Sequence, residues 1–281
     1  MSLSILLAIL LGIVQGIAEF LPISSSGHLS ILQNLIGVKY DEGGHLFFDV
    51  LLHIGTLISI FIAYRKELRG IVRETADFML KRGDEGRESD GRMKPGLRML
   101  ILVIVGTLPL LIILPFYDLI GQLYYKTLFI AFALIITGAL LFVSDKLAQG
   151  KKNEKNCRLL DVIFIGLGQM VATIPGLSRS GTTITVALAR GTSRDFAVRY
   201  SFLLSIPAVV GSFLLSLVKA FKAGINWSAV PAYLIGMVIA AVVGYFAIFL
   251  VKKLVNSKNF GKFAYYCWGA ALVTIILTIV L

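Results

Sequence analysis

The feature of this sequence that most constrains its fold is a series of apolar runs, each about twenty residues long. Because lipid offers the backbone no hydrogen-bond partner, runs of this kind form helices. The chain is 57% hydrophobic and only 15% charged, whereas a soluble domain is about a quarter charged. The sequence therefore predicts an all-α, polytopic membrane protein in which 1–281 is a single integral membrane domain. The six predicted full spans are 45–64, 98–117, 125–143, 200–218, 228–251 and 261–281.

Two further apolar segments are interrupted by stretches rich in proline, serine and glycine. Segment 3–20 stops at Leu21-Pro-Ile-Ser-Ser-Ser-Gly27, and a short apolar run then ends at Ile36. Segment 159–174 stops at Pro175-Gly-Leu-Ser-Arg-Ser-Gly181, and a short run then ends at Ala189. Runs of about ten residues are too short to cross a bilayer. Each interrupted segment is therefore predicted to form a re-entrant helix pair.

The two interruptions are related to each other by an offset of 154 residues. Six of the 16 positions from 12 to 27 are then identical: Gly12, Gln15, Ala18, Ser24, Ser26 and Gly27 match Gly166, Gln169, Ala172, Ser178, Ser180 and Gly181. We predict two repeats, about 1–145 and 146–281, each with one re-entrant pair and three spans. Three crossings would invert the second repeat relative to the first, as in many transporters.

The distribution of basic residues predicts the orientation of these spans. The loops 65–98, 146–158, 190–199 and 252–262 hold 22 of the 27 Lys and Arg residues. Cytoplasmic loops carry this excess in membrane proteins, so both termini are predicted to be extracytoplasmic. The net charge of +11 is then a signature of topology, and we expect no nucleic-acid partner. The middle of the longest loop, 81–94, is expected to be solvated and flexible.

The serine- and glycine-rich breaks predict an anion site. Each precedes a short helix whose free N-terminal amides can bind an anion. Arg179 adds a planar, permanently charged fork that suits phosphate. A charge at membrane depth costs about 2.5–3.5 kcal/mol on the insertion scale, so Arg179 and Glu19 need partners. The alternative is that Arg179 forms only a structural ion pair with Glu19.

Candidate chemistry lies around the first break. Gln15 and Glu19 share a helical face, and Glu19 is a candidate general base, proton shuttle or metal ligand. Ser25 and His28 lie one turn apart, which allows a hydroxyl nucleophile activated by a neighbouring imidazole or carboxylate. The alternative for His28 is a plain hydrogen-bonded helix residue.

The residues shared by the two breaks suggest a phosphate cradle. Ser25 stands opposite Arg179 in the repeat alignment, and this divergence marks where asymmetric chemistry would occur. The predicted cradle residues are Ser24, Ser26, Gly27, Ser178, Ser180, Gly181, Thr182 and Thr183, with Gln15 beside them. On another segment, His45, Asp49 and His53 form a stripe that favours a hydrogen-bonded helix interface over a metal site.

These motifs resemble those of a known family. The segment from Gln15 to His28, QGIAEFLPISSSGH, is similar to the (E/Q)xxxE and Pro-x-Ser-Ser-x-Gly-His signature of the undecaprenyl-pyrophosphate phosphatase family, which is linked to bacitracin resistance. The segment from Pro175 to Thr183, PGLSRSGTT, resembles its PGxSRSxxT signature. The resemblance covers the whole chain. Gln15 stands where the family often has Glu, which leaves Glu19 as the acidic residue of the motif.

The resemblance implies hydrolysis of undecaprenyl pyrophosphate to undecaprenyl phosphate and phosphate, at the outer face of the plasma membrane, with Mg²⁺ or Ca²⁺. It also implies Ser25 as nucleophile, Arg179 as phosphate clamp, and Glu19 with His28 as the proton-transfer or metal-organising pair. The residues alone leave open a transporter or flippase of a polyprenyl phosphate, a small-anion channel, direct attack by water in place of Ser25, and the oligomeric state, a homodimer included.

Overall fold

The structure is a computed structural model that describes residues 4–36, 43–80, 93–148, 150–223 and 227–280, and within these ranges every regular element is helical. This confirms the predicted all-α class. The helices are α1 Ile5–Phe20, α2 Ser25–Ile36, α3 Gly43–Ala63, α4 Arg65–Leu80, α5 Pro95–Thr107, α6 Tyr117–Leu123, α7 Thr127–Ser144, α8 Leu159–Val171, α9 Arg179–Ala189, α10 Arg194–Ala223, α11 Val230–Asn256 and α12 Phe263–Val280, and a 3₁₀ stretch, Leu108–Phe116, joins α5 to α6.

The described helices provide the predicted membrane spans. Five are long and apolar enough to cross a bilayer: Pro95–Leu123, Thr127–Ser144, Arg194–Lys219, Trp227–Asn256 and Phe260–Val280. The predicted span 45–64 is the 21-residue helix α3. Helices α1 and α8, with 16 and 13 residues, are shorter than the roughly 20 residues that a full span needs. The chain is a multi-pass membrane protein.

Helix α4 corrects the sequence-based prediction that 65–98 is a loop. Its 16 residues alternate between charged and apolar side chains with helical periodicity, none of them is buried, and α4 bends by 77° from α3. Its mean hydropathy is low, which is why the sequence pattern of long apolar runs missed it. The carboxylate of Glu74 accepts hydrogen bonds from the amides of Gly96 and Leu97 at 2.7 and 3.1 Å, and these bonds hold α4 against the start of α5. Most of the stretch 81–94 lies outside the described residues.

The elements recur in the same order in the two halves of the chain. Helices α1, α2, α3 and α7 correspond to α8, α9, α10 and α12, and the α5–α6 segment corresponds to α11. The packing recurs as well. A Cβ added at Gly12 would lie 2.5 Å from the carbonyl oxygen of Gly236, and one added at the matching Gly166 would lie 2.2 Å from that of Gly106. At these glycines, the backbone of the first helix of each half therefore lies close to the backbone of a helix in the other half. The inversion of the halves across the membrane stays a prediction.

An ion network orders the loop before α8. The carboxylate of Asp161, which is fully buried, accepts from Lys152 Nζ at 2.8 Å and from Arg190 Nε at 2.9 Å. The backbone amide of Arg158 donates to the same carboxylate at 3.1 Å. These contacts join two of the loops that the charge pattern assigns to the cytoplasm.

Candidate active site

The two breaks end in short helices with the same N-terminal capping. Ser24 Oγ accepts from the amide of Gly27 at 3.2 Å, and Ser178 Oγ accepts from the amide of Gly181 at 3.1 Å. Each capping hydroxyl is also 3.3 Å from the hydroxyl two residues later, that of Ser26 or Ser180. Serine at this position satisfies an amide that the helix leaves free. Capping of α2 and α9 therefore explains, in part, why serines occur at these matched positions.

The breaks also contact each other. A Cβ on Gly27 would lie 3.0 Å from the Cα of Gly176, and Ser180 Oγ donates to the carbonyl of Leu21 at 3.4 Å. Gly176 has a φ of +92°, a conformation that favours glycine. Ser24 has a φ of +71°, which is uncommon for a residue with a side chain. The two breaks thus approach each other closely at small residues, Gly27 and Gly176.

Three side chains from these elements converge on one carboxylate. Ser25 Oγ donates to Glu19 Oε2 at 2.6 Å. The guanidinium of Arg179 forms an ion pair with Glu19 Oε1. Gln15 Nε2 donates to Glu19 Oε2 at 3.1 Å. The structure therefore brings the predicted nucleophile, base and phosphate clamp together, with Gln15 one helical turn before Glu19.

The two charged side chains of this cluster are largely withdrawn from solvent. The side chain of Glu19 is 5% exposed and that of Arg179 is 22% exposed. A buried charge is tolerated only when it is paired, so the Arg179–Glu19 pair that the sequence left as an alternative does exist. Arginine has five N–H donors, and Glu19 is its bonded partner among the described residues. The ion pair and a further role on phosphate are therefore compatible.

His28 does not contact Ser25 through a hydrogen bond, which corrects the imidazole version of the nucleophile hypothesis. His28 Nδ1 lies 2.8 Å from the carbonyl oxygen of Ser24, and Nε2 lies 2.9 Å from the hydroxyl of Tyr266. A carbonyl only accepts, so Nδ1 carries the hydrogen and a neutral ring accepts from Tyr266 at Nε2. The rings of His28 and Tyr266 are stacked at 5.6 Å. Sequence reasoning missed Tyr266, which lies 238 residues away in the chain and belongs to no local pattern.

Comparisons with known proteins show the family to which this sequence is similar. The model of the family described as bacitracin resistance protein BacA matches residues 8–273. The chain belongs to this family. A relative from Alkaliphilus metalliredigens, named undecaprenyl-diphosphatase, is 38% identical over 97% of this chain and 98% of its own. Relatives of the same name from Methanobrevibacter smithii and Methanosphaera stadtmanae are 38% and 39% identical, over 95% and 99% of this chain and 95% and 100% of their own.

In this BacA family member, the two threonines after the second break have different surroundings. Thr183 Oγ1 donates to the carbonyl of Arg179 at 2.8 Å and lies 2.5 Å from Ser201 Oγ, so its hydroxyl joins α9 to α10. Thr182 Oγ1 is buried and has no hydrogen-bond partner among the described residues. Their assignment as substrate-binding residues stays a prediction.

One of the polar residues in the stripe on α3 contacts a neighbouring helix. Asp49 Oδ1 accepts from Gln33 Nε2 of α2 at 3.0 Å, which confirms the hydrogen-bonded interface for this residue. His53 Nδ1 lies 2.8 Å from the carbonyl oxygen of Asp49 and donates to it. The side chain of His45 lies outside the described residues.

The cluster offers few protein ligands for a divalent cation. The described residues contain no group of three or more His, Cys, Asp or Glu side chains suited to a metal. They do contain the buried carboxylate of Glu19, and beside it the buried Oε1 of Gln15, which has no partner among them. Mg²⁺ is commonly held by one or two carboxylates together with substrate phosphates. This donor set suits such a shared site and not an all-protein cage.

Proposed function

We propose that this chain is an undecaprenyl-diphosphatase, an enzyme that hydrolyses undecaprenyl diphosphate to undecaprenyl phosphate and inorganic phosphate. Membership of the BacA family and the names of the relatives support this activity. The observation that carries the proposal to specific residues is the convergence of Ser25 and Arg179 on the buried carboxylate of Glu19. A phosphatase that uses a serine nucleophile needs a base beside the hydroxyl. A carrier or channel has no need of a serine that donates a hydrogen bond to a buried carboxylate.

In the proposed reaction, Glu19 Oε2 receives the hydroxyl proton of Ser25 as Ser25 Oγ attacks the terminal phosphorus. The bond between that phosphorus and the bridging oxygen breaks, and undecaprenyl phosphate leaves. Water then attacks the phosphorus of the phosphoserine and releases one proton to solvent. The bond between that phosphorus and Ser25 Oγ breaks as Oγ takes the proton from Glu19, and inorganic phosphate leaves. Direct attack by water, with Glu19 as its base, is the alternative pathway.

Arg179 contributes by charge neutralisation. Phosphoryl transfer depends mainly on positioning and on electrostatic stabilisation of the equatorial oxygens. Arg179 is held at Glu19 through one side of its guanidinium, so its remaining N–H groups are proposed to bind phosphoryl oxygens. The serines and glycines of the two breaks, which let backbone and hydroxyl groups approach closely, are proposed to complete the cradle.

A divalent cation, Mg²⁺ or Ca²⁺, is part of the proposal. Glu19 and the amide oxygen of Gln15 would hold it together with oxygens of the diphosphate. When bound, it would supply additional positive charge at the phosphoryl group. We further propose that the site faces outward, as the family resemblance implies, and that both termini are extracytoplasmic, as the basic loops indicate.

The test is phosphate release by the purified protein in detergent micelles, with and without a chelator. Detergent abolishes compartments, so a transporter or flippase has no gradient to act on while a hydrolase still turns over. We expect phosphate release from undecaprenyl diphosphate that is lost with chelator and restored by added Mg²⁺ or Ca²⁺. Protein that is folded and binds the lipid but releases no phosphate would support the flippase and contradict the enzyme.

A further inference from the structure

Gln169 has a position in the second repeat that the proposed reaction has not used. It matches Gln15 under the repeat offset, and each glutamine lies nine residues before a capping serine, Ser178 or Ser24. Gln15 donates to Glu19. The residue that matches Glu19 is a threonine at 173, so the second repeat offers no carboxylate to its glutamine.

The side-chain amide of Gln169 is buried and unbonded in the part of the chain that the structure describes. The residue is 1% exposed, and neither Nε2 nor Oε1 has a hydrogen-bond partner among the described residues. A buried polar group without a partner is destabilising by a few kcal/mol, and an apolar side chain would avoid this cost. Its matched residue, Gln15, is equally buried but has its amide nitrogen satisfied. The two glutamines therefore differ in bonding and not in burial.

The repeat relation indicates which group Gln169 lies beside. Ser25 and Arg179 are matched residues at the first positions of α2 and α9. In the first repeat, Gln15 Nε2 and Ser25 Oγ approach the same carboxylate oxygen, Glu19 Oε2. If the repeat relation extends to side-chain positions, Gln169 is expected on the Arg179 side of the cluster.

We propose that Gln169 is a substrate-binding residue whose amide Nε2 donates to a phosphoryl oxygen of the diphosphate on the Arg179 side of the site. This rests on the proposed function, and it adds a contact from the half of the molecule opposite Ser25. A diphosphate offers several anionic oxygens besides those that Arg179 binds, and an amide suits one of them because it donates to an anion without repelling it.

Two variants of nearly the same shape test the proposal, with inorganic pyrophosphate as the probe. In Gln169→Met the donor is lost, and we expect inhibition of the phosphatase reaction by pyrophosphate to weaken by about 10- to 100-fold, the loss of one hydrogen bond to a charged group. In Gln169→Glu a negative charge faces the anion, and we expect a larger loss. Thermal stability without ligand should be equal or higher in Gln169→Met, because an unpartnered buried amide has been removed.

Gln33→Met is the matched control, since Gln33 is equally buried but donates to Asp49. It should lower thermal stability and leave pyrophosphate inhibition near the wild-type value. The proposal is overturned if Gln169→Met is inhibited like the wild type, or if it unfolds at a lower temperature, which would reveal a structural role. Absence of phosphate release in the wild type would instead defeat the proposed function, and direct binding of pyrophosphate to the same variants would still test Gln169.

Discussion

Ser25 differs from the serines on either side of it by one contact. Ser24 and Ser26 have their hydroxyls in the capping group of α2, as Ser178 and Ser180 do in α9. Ser25 instead donates to the carboxylate of Glu19. Among these three serines, the one that carries the proposed chemistry is therefore the one that the repeat does not duplicate.

Alanine variants of the three serines should separate these roles. Ser25→Ala should abolish single-turnover phosphate release while substrate still binds. Ser24→Ala and Ser26→Ala should remain within roughly a hundredfold of wild type, because each loses a capping or cradle hydrogen bond worth about 0.5–3 kcal/mol. Phosphate release is compared for all three in one detergent. Equal losses across the series would exclude Ser25 as the nucleophile and favour direct attack by water.

Variants of the Glu19–Arg179 pair are predicted to affect the stability of the protein and its activity differently. Glu19→Gln should remove the proton acceptor and leave the guanidinium without its counter-charge, so activity should fall and the free energy of unfolding should drop by up to roughly 3 kcal/mol. In the double variant Glu19→Gln with Arg179→Gln, stability should recover while activity stays absent. Thermal unfolding and phosphate release on the same preparations check both. Recovery of activity in the double variant would remove the pair from the reaction.

Arg179→Lys tests whether the planar guanidinium, and not only its charge, is needed. A lysine keeps the charge and the ion pair with Glu19 but loses the planar pair of donors. We expect a fall of about 10²–10³ in turnover, as for the loss of one aligned transition-state contact. Arg199→Lys, in an ion pair with Glu154 away from the breaks, should be close to wild type. Near-normal turnover of Arg179→Lys would contradict its role as a phosphate clamp.

At the scale of helices, the sequence predicts what depends on local pattern. Long apolar runs specify the spans, and proline with glycine specifies the two breaks. The same-face relation of Gln15 and Glu19 follows from helix geometry alone. Helix α4 has no such signal because its charges hide a regular periodicity. The contact of His28 with Tyr266 depends on how α12 packs on the first repeat, which no local pattern encodes.

The glycine contacts between α1 and α11, and between α8 and α5, predict a sharp size limit. Gly12→Ala should destabilise the protein by about 1–3 kcal/mol, the usual cost of overpacking, because its Cβ would lie 2.5 Å from a backbone oxygen. Gly211→Ala is the control, since a Cβ there meets nothing within 4 Å and alanine favours a helix. Thermal unfolding in detergent compares the two. Equal stability of both variants would contradict the close packing of α1 on α11.

At the scale of the whole molecule, cysteine labelling tests the orientation. Lys126→Cys, on an exposed residue, should react with a membrane-impermeant maleimide added outside, and Ser257→Cys should react only after the cells are opened. Cys157 and Cys267 are fully buried, and burial raises the pKa of the Cys157 thiol to about 11. At neutral pH that thiol stays protonated, so the native background should be silent. The reverse labelling pattern would contradict the predicted topology.

Because Gly12 packs against Gly236, helix α1 can complete its packing only after α11 has been synthesised. Residue 236 is added 224 residues after residue 12, which takes roughly 10–45 s at typical rates of chain elongation. Arg179, the ion-pair partner of Glu19, is added to the chain 160 residues after it. Until Arg179 has been added, the carboxylate of Glu19 has no guanidinium to pair with. A chain that stops before α11 would thus contain both signature motifs, yet it would lack the helix against which the first of them packs.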